Sequence, residues 1–369
     1  MQISSARHFG GGERHFVDLT NGLTEGGHDI FVAAIPNSPI LAELRPRVRQ
    51  SLFELSSSNP LNFTKAMALR RFVSEHAIDI VHAHMARDYP LAALVVGWDG
   101  GPRLIITRHV LFPMSKLHRI TRRRVARVIA VSHAVASVVR DQGIFSNGQV
   151  NVVPNGIDLA KFPPRGVKHF AGRLRVGILG ELAPNKGQIE FLHAVEIVAA
   201  KIDNVDFIIA GRDNSDGQYG RELKKLIAES KFRDRIQLIE SRIDVADFLP
   251  GLDVVVSASR SEAFGLAIVE AMAAGVPVVA TATAGACEII SDKETGHLVP
   301  INDVNAMATA ISLVLNNPRQ SQHIAQNARQ MVAESFSLDR MISDTEAVYR
   351  DVLKDRRTVN DSPTRELVR

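Results

Sequence analysis

Short runs of Val, Ile, Leu and Ala alternate with helix-length segments along this chain, and midway the alternation starts afresh. After a brief opening strand, runs at 30–34, 78–81, 104–107, 128–131 and 151–153 read as buried strands. Helical spacing of apolar residues fills the gaps at 13–25, 62–75 and 132–141. A breaker-rich stretch, Pro-Asn-Gly-Ile-Asp-Leu-Ala-Lys-Phe-Pro-Pro at 154–164, then interrupts the pattern. The second series has runs at 174–180, 205–211, 236–239, 253–257 and 276–280, with helices at 187–201 and 221–230. Two successive βα series imply an α/β chain of two Rossmann-like, doubly wound parallel sheets. A length of 369 residues also exceeds one ordinary core. The expected domains are 1–165 and 166–338, followed by a last helix at 339–354 and a polar, frayed tail at 355–369. Ligands of such sheets bind beyond the carboxyl ends of the strands, which predicts a site in the cleft between the domains.

The chemistry concentrates at 260–280, Arg-Ser-Glu-Ala-Phe-Gly-Leu-Ala-Ile-Val-Glu-Ala-Met-Ala-Ala-Gly-Val-Pro-Val-Val-Ala. It reads as loop, helix, sharp stop at Gly275 and Pro277, then strand. The start of such a helix offers unpaired N–H groups and partial positive charge, which suit a phosphate. Glu262 sits just before that start and Glu270 about two turns along, both able to accept ligand hydroxyls. A solvated helix face would carry the same pair. Lys186, in Leu-Gly-Glu-Leu-Ala-Pro-Asn-Lys-Gly-Gln, stands at a loop–helix junction where its ammonium can meet a diphosphate. Near the amino terminus, Gly10-Gly11-Gly12-Glu13 lets backbone approach a ligand at a helix expected to begin near Glu13. The third glycine of a dinucleotide fingerprint is missing. His109 follows the 104–107 strand, at the edge where the site should lie. His82 and His84 alternate on one face as a conceivable metal pair, but no third ligand has suitable spacing. Ser132 reads as a helix N-cap, and Asn155-Gly156 with Asp158 as a turn between domains.

The string Glu-Ala-Phe-Gly-Leu followed by Glu-Ala-Met-Ala-Ala-Gly-Val-Pro-Val-Val-Ala resembles the donor-site signature of retaining glycosyltransferases of family 4, which have the GT-B fold. Weaker likeness runs over nearly the whole chain. The resemblance implies that Glu270 holds the ribose hydroxyls of a nucleotide-sugar donor and Glu262 those of the transferred sugar. Lys186 and the backbone N–H groups of Phe264, Gly265 and Leu266 would stabilise the departing diphosphate. It places His109 near the donor sugar, and Gly11 and Gly12 in a first loop facing phosphate and acceptor. It makes 339–354 a helix that crosses back onto the first domain. Catalysis by front-face attack needs no metal and no other cofactor. One position departs: the family usually has Arg five residues before the lysine, and this chain has Glu181. A carboxylate there repels a diphosphate. Arg212, Arg260 and Arg175 are the candidate substitutes, with Arg212 first because it directly follows a strand.

Charge is uneven. Residues 1–170 hold 21 Lys and Arg against 12 Asp and Glu, and the remainder 23 against 28. The basic half centres on Lys116, His118, Arg119, Arg122, Arg123, Arg124 and Arg127, a cluster suited to an anionic membrane surface or to a solvated face. It lacks interleaved aromatics, so nucleic acid is not an expected partner. The expected partners are a nucleotide-sugar donor and a glycan or lipid-linked acceptor. A single cysteine, Cys287, excludes an intrachain disulfide and fits a reducing compartment. With no apolar span and no secretion signal, a cytoplasmic protein with peripheral contact at the inner membrane face is expected. A nucleotide-sugar epimerase and a non-catalytic nucleotide-sugar binder are the alternative readings.

Overall fold

The computed structural model describes residues 1–49, 51–55, 63–97, 101–115, 118–163, 172–214, 216–241 and 243–360, without the side chains of 49 and 355–360. It divides into two compact units, Met1–Gly156 with Leu338–Arg369, and Ile157–Ser337.

The first unit is built on a seven-stranded parallel sheet: β1 (Gln2–Ser4), β2 (Val32–Ala34), β3 (Leu52–Glu54), β4 (Ile80–Ala83), β5 (Arg103–Arg108), β6 (Val125–Ala130) and β7 (Val150–Val152), in the order β3-β2-β1-β4-β5-β6-β7. Ile3 pairs with Ala33 on one side and Ala83 on the other, so the strand order reverses between β1 and β4. The carboxyl ends flanking that reversal form the natural ligand crevice of the unit. The helix Leu338–Asn360 packs on this unit, burying Met341, Val348 and Val352 with Leu19, Leu23, Ile105 and Ile129. Gly22 permits the approach, since a Cβ there would lie 2.1 Å from the Ile342 Cδ1. The helix runs past the predicted end at 354, through Lys and Arg residues of good helix propensity. The remainder of the predicted tail, 361–369, lies outside the described residues.

The second unit holds β8 (Leu174–Leu179), β9 (Val205–Ala210), β10 (Ile236–Ile239), β11 (Val254–Ser257), β12 (Val278–Thr281) and β13 (His297–Val299), all parallel, in the order β10-β9-β8-β11-β12-β13. Its order reverses between β8 and β11. Phe191, Val195, Phe207, Val254 and Ile311 form the centre of its core. Each such side chain contributes about 1.5–3 kcal/mol by leaving water.

The units divide between Gly156 and Ile157 rather than at 165. The Gly156 N–H reaches the Met341 sulfur at 3.1 Å, within the first unit. The Ile157 N–H donates to the Phe336 carbonyl at 3.0 Å, within the second. Strands β3 and β13 are additions to the predicted set. Among the described residues no helix is long and apolar enough to cross a membrane.

Candidate active site

In the second unit, the loops after β8 and β11 flank the strand reversal and carry the two charged residues read from the sequence. Lys186 Nζ lies 2.8 Å from Glu262 Oε2, with both side chains mostly shielded. The Ser259 hydroxyl donates to the same oxygen at 3.1 Å. Oε2 therefore takes both bonds, leaving Oε1 to accept a ligand hydroxyl. Backbone contact holds the loops together: the Arg260 N–H donates to the Asn185 carbonyl at 2.9 Å. Gly187 makes this possible, because at φ +71° a Cβ would lie 2.0 Å from the Ala258 oxygen.

The helix after Glu262 spans Leu266–Ala273. Its N-cap is Gly265, with φ +112° and no side chain to cap the first turn. The Ile268 N–H already donates to the Gly265 carbonyl at 3.0 Å, which leaves the N–H groups of Leu266 and Ala267 at the helix start for an anion. The helix begins four residues after Glu262, so Glu270 stands little more than one turn in, closer to its start than the predicted two turns. Its stop is a Schellman motif: Gly275 at φ +69° donates to the Met272 carbonyl and Val276 to the Ala271 carbonyl, both at 3.0 Å. Phe264 buries its ring edge-on to Phe336. Gly285 backs this loop, donating to the Glu262 carbonyl at 3.0 Å. A Cβ at Gly285 would meet the Phe264 nitrogen at 2.7 Å.

The three candidate substitutes for the missing arginine separate. Arg175 is second in β8, at the sheet's amino edge, away from Lys186. Arg260 is engaged by Glu190, its Nε at 3.0 Å from the carboxylate. Arg212 is exposed just past the carboxyl end of β9, and its carbonyl accepts from the Leu182 N–H at 3.0 Å. That bond fixes Arg212 beside the loop carrying Glu181. The Glu181 carboxylate accepts from Asn214 Nδ2 at 3.0 Å.

In the first unit, the helix Gly11–Glu25 starts two residues earlier than the predicted Glu13, after an extended Gly10. The Glu13 carboxylate accepts from the Gly10 N–H at 3.0 Å, which tightens the turn. Gly11 and Gly12 therefore form the first turn, and Gly12 faces the His109 ring, 3.5 Å from where its Cβ would stand. His15, one turn on, packs edge-on to His109 with ring centres 4.9 Å apart. Ring nitrogens of His15, His84 and His109 lie within 4.8 Å of one another. The third imidazole missing from the sequence reading is thus His15, and His82 drops out of the set. His82 instead reaches the Tyr349 hydroxyl and Thr107 Oγ1, both at 2.6 Å. Burial lowers the His15 pKa to about 4 and holds His84 and His109 well below the usual histidine value. The three are neutral imidazoles near pH 7. They can exchange hydrogen bonds with sugar hydroxyls, and the same donors suit zinc if the rings draw to about 2.0–2.1 Å from an ion. Ser132 caps its helix as predicted, accepting from the Val135 N–H at 3.1 Å.

Comparison with known proteins decides the family. The glycosyl transferases group 1 family matches residues 165–331 and Glycosyltransferase Family 4 matches residues 9–161. The chain belongs to glycosyltransferase family 4. This glycosyltransferase is 24% identical over 359 residues to the N-acetyl-alpha-D-glucosaminyl L-malate synthase of Bacillus anthracis, covering 92% of this chain and 93% of that one. It is 30% identical over 244 residues to the lipopolysaccharide core biosynthesis mannosyltransferase LpcC of Rhizobium leguminosarum bv. viciae, covering 64% of this chain and 67% of that one. Its fold superposes with TM-score 0.81 on Anabaena Alr3699/HepE, solved in complex with UDP and glucose, at 20% identity and covering 95% and 98% of the two chains. The architecture of the glycosyltransferase is GT-B, two Rossmann-like domains with parallel sheets.

Sequence reasoning passed over Ser259, Gly187, Gly285 and His15. Ser259 had a local signal, standing three residues before Glu262. His15 had a weaker one, at helical spacing from Gly11 and Gly12.

Proposed function

We propose that this glycosyltransferase moves a sugar from a nucleoside diphosphate sugar to an acceptor hydroxyl with retention of configuration and without a metal. The observation that carries the reading is the pair of loops joining Lys186 to Glu262 beside an uncapped helix start at Leu266. In it, Lys186, Arg212 and the N–H groups of the Leu266–Ala273 helix receive the diphosphate charge that a metal would otherwise meet. Glu262 Oε1 accepts from hydroxyls of the sugar, and Glu270 from those of the ribose. His109, backed by Gly12, offers a neutral imidazole to a sugar hydroxyl. The UDP and glucose of the Anabaena structure support this donor class. The B. anthracis and R. leguminosarum relatives, named for transfer to malate and for lipopolysaccharide core biosynthesis, support a small anionic or a glycan acceptor.

The test is transfer from UDP- and GDP-sugars to a panel of acceptors, with and without chelator, the product anomer being read by NMR. Retained configuration at an unchanged rate in chelator is expected. An inverted anomer would overturn retention, and loss of rate in chelator would assign the histidine trio to a metal. Donor hydrolysis or rearrangement without acceptor would favour the epimerase reading.

Peripheral membrane contact forms part of the same proposal, on a smaller patch than the sequence suggested. Arg127 is paired with Asp351 at 3.2 Å, and Arg124 donates to the Ala93 carbonyl. His118 is buried, and Lys116 lies outside the described residues. Arg119, Arg122 and Arg123 are exposed, on a segment whose Ile120 is 75% exposed. Each arginine near an anionic surface contributes ~1 kcal/mol. Replacing Arg119, Arg122 and Arg123 with Gln should release the protein from phosphatidylserine vesicles in a sedimentation assay. Equal sedimentation of variant and parent would leave the patch a solvated face.

A further inference from the structure

A second feature of the first unit lies at the carboxyl ends of β4 and β5. A cavity of about 290 Å³ opens there, lined by Arg87, Pro90, Arg108, Met114 and His118 among others. Arg108 is only 5% exposed. Its guanidinium donates to the Phe112 carbonyl and adjoins the Tyr89 hydroxyl, which itself donates to the Thr107 carbonyl at 2.6 Å. Among the described residues Arg108 forms no ion pair. A buried guanidinium without a carboxylate is costly, because its charge has left water and met no opposite charge. His118, 8% exposed, adds a buried Nδ1 with no hydrogen-bond partner. At the mouth, Arg87 is exposed and anchored by its Nε at 2.7 Å from Ser5 Oγ. The nearby acids, Asp88 and Glu13, feel the charge of Arg87 but form no ion pair with it or with Arg108 among the described residues, and each is held by other donors. Asp88 accepts from the Ser5 N–H at 2.9 Å and from the Ser5 hydroxyl, and Glu13 accepts from the Gly10 N–H.

Two guanidiniums, an unpaired imidazole nitrogen and apolar walls from Pro90 and Met114 match one chemistry. The ligand group has several acceptor oxygens and a negative charge, and it is attached to a compact organic body. We propose that this pocket binds an oxyanion, phosphate or carboxylate, borne by the acceptor. Arg108 takes it through its planar fork, Arg87 closes over it, and His118 completes the set. Arg108 ends β5 and His109 follows it, so the anchor and the residue assigned to the sugar share one strand end. The role as acceptor anchor rests on the transferase reading; binding of the oxyanion does not.

The experiment isolates this pocket from the diphosphate grip in the other unit. Full-length Lys186→Ala protein is titrated calorimetrically with inorganic phosphate, methyl phosphate and succinate. Binding of at least one probe is expected, and the tighter class identifies the natural oxyanion. Adding Arg108→Gln or Arg87→Gln should weaken that probe about tenfold to a hundredfold, the value of charged hydrogen bonds. If Arg108→Gln does not fold, the exposed Arg87 decides. No binding of any probe in the Lys186→Ala protein overturns the proposal. So does binding that neither arginine substitution weakens. A failed sugar-transfer assay, by contrast, would leave these titrations unchanged and count only against the transferase reading.

Discussion

Glu262→Gln should cut turnover roughly a hundredfold while leaving nucleoside diphosphate affinity within about threefold of the parent. Charged hydrogen bonds contribute ~1.5–3 kcal/mol each, and those to the transferred sugar strengthen as positive charge grows at its anomeric carbon. The amide keeps the shape of the side chain and an oxygen for both Lys186 Nζ and Ser259 Oγ. It removes the negative charge 2.8 Å from the ammonium. Lys186 is then less neutralised, so its attraction for diphosphate cannot fall on electrostatic grounds. The split between kcat and nucleotide affinity therefore separates a sugar-contacting role from a structural one. Calorimetric titration with UDP and GDP, beside steady-state rates, reads both quantities. If affinity collapses together with turnover, the Lys186–Glu262 pair is a loop clasp and the assignment to the sugar is wrong.

That pair also shows what a linear reading reaches. Glu262 and Lys186 were legible because each sits in a local context, a loop meeting a helix start, that gives its side chain a purpose. Their contact was not, since it depends on Gly187 admitting the Ala258 carbonyl across 71 residues. Arg260 looked available for the diphosphate until the fold brought Glu190 to it from 70 residues away. The sheets were legible for a related reason. Their central strands are buried on both faces and so are written as continuous apolar runs. The edge strands Leu52–Glu54 and His297–Val299 are three residues each and include Glu54 and His297. So short a segment carries neither a run nor a period. His15 illustrates the limit in the first unit. Within its helix it is one more polar residue. It becomes part of a site only when β4 and β5 deliver His84 and His109 to the same place.

The buried imidazoles make the second large effect one of pH. The first unit should lose stability between about pH 6.5 and pH 4, with His15 alone accounting for about 3 kcal/mol. Desolvation depresses the folded-state pKa of His15 to about 4, against 6.5 for an exposed histidine. His82, His84 and His109 are lowered in the same direction by burial first and by neighbouring imidazoles second, His15 acting on all three. The folded chain therefore keeps these rings neutral while the unfolded chain takes up protons below 6.5. The stabilisation is complete above that value and is lost as pH falls toward the folded-state pKa, below which the loss levels off. Glu13 and Asp88 oppose it, since burial raises both carboxyls and so favours the folded state in acid. His118 is lowered by burial as well, so five histidines stand against two carboxyls and set the net sign. Hydrogen exchange of the β4 and β5 amides, followed in urea at pH 7 and pH 5, isolates this unit from the other. Unfolding should need clearly less urea at pH 5. His15→Asn should reduce that pH dependence by the His15 share, because a neutral amide has no proton to gain. Coincident urea midpoints at the two pH values would mean that the rings are already protonated or solvated in the folded chain. The reading of His109 and its neighbours as neutral hydrogen-bonding partners of a sugar would then fail with them.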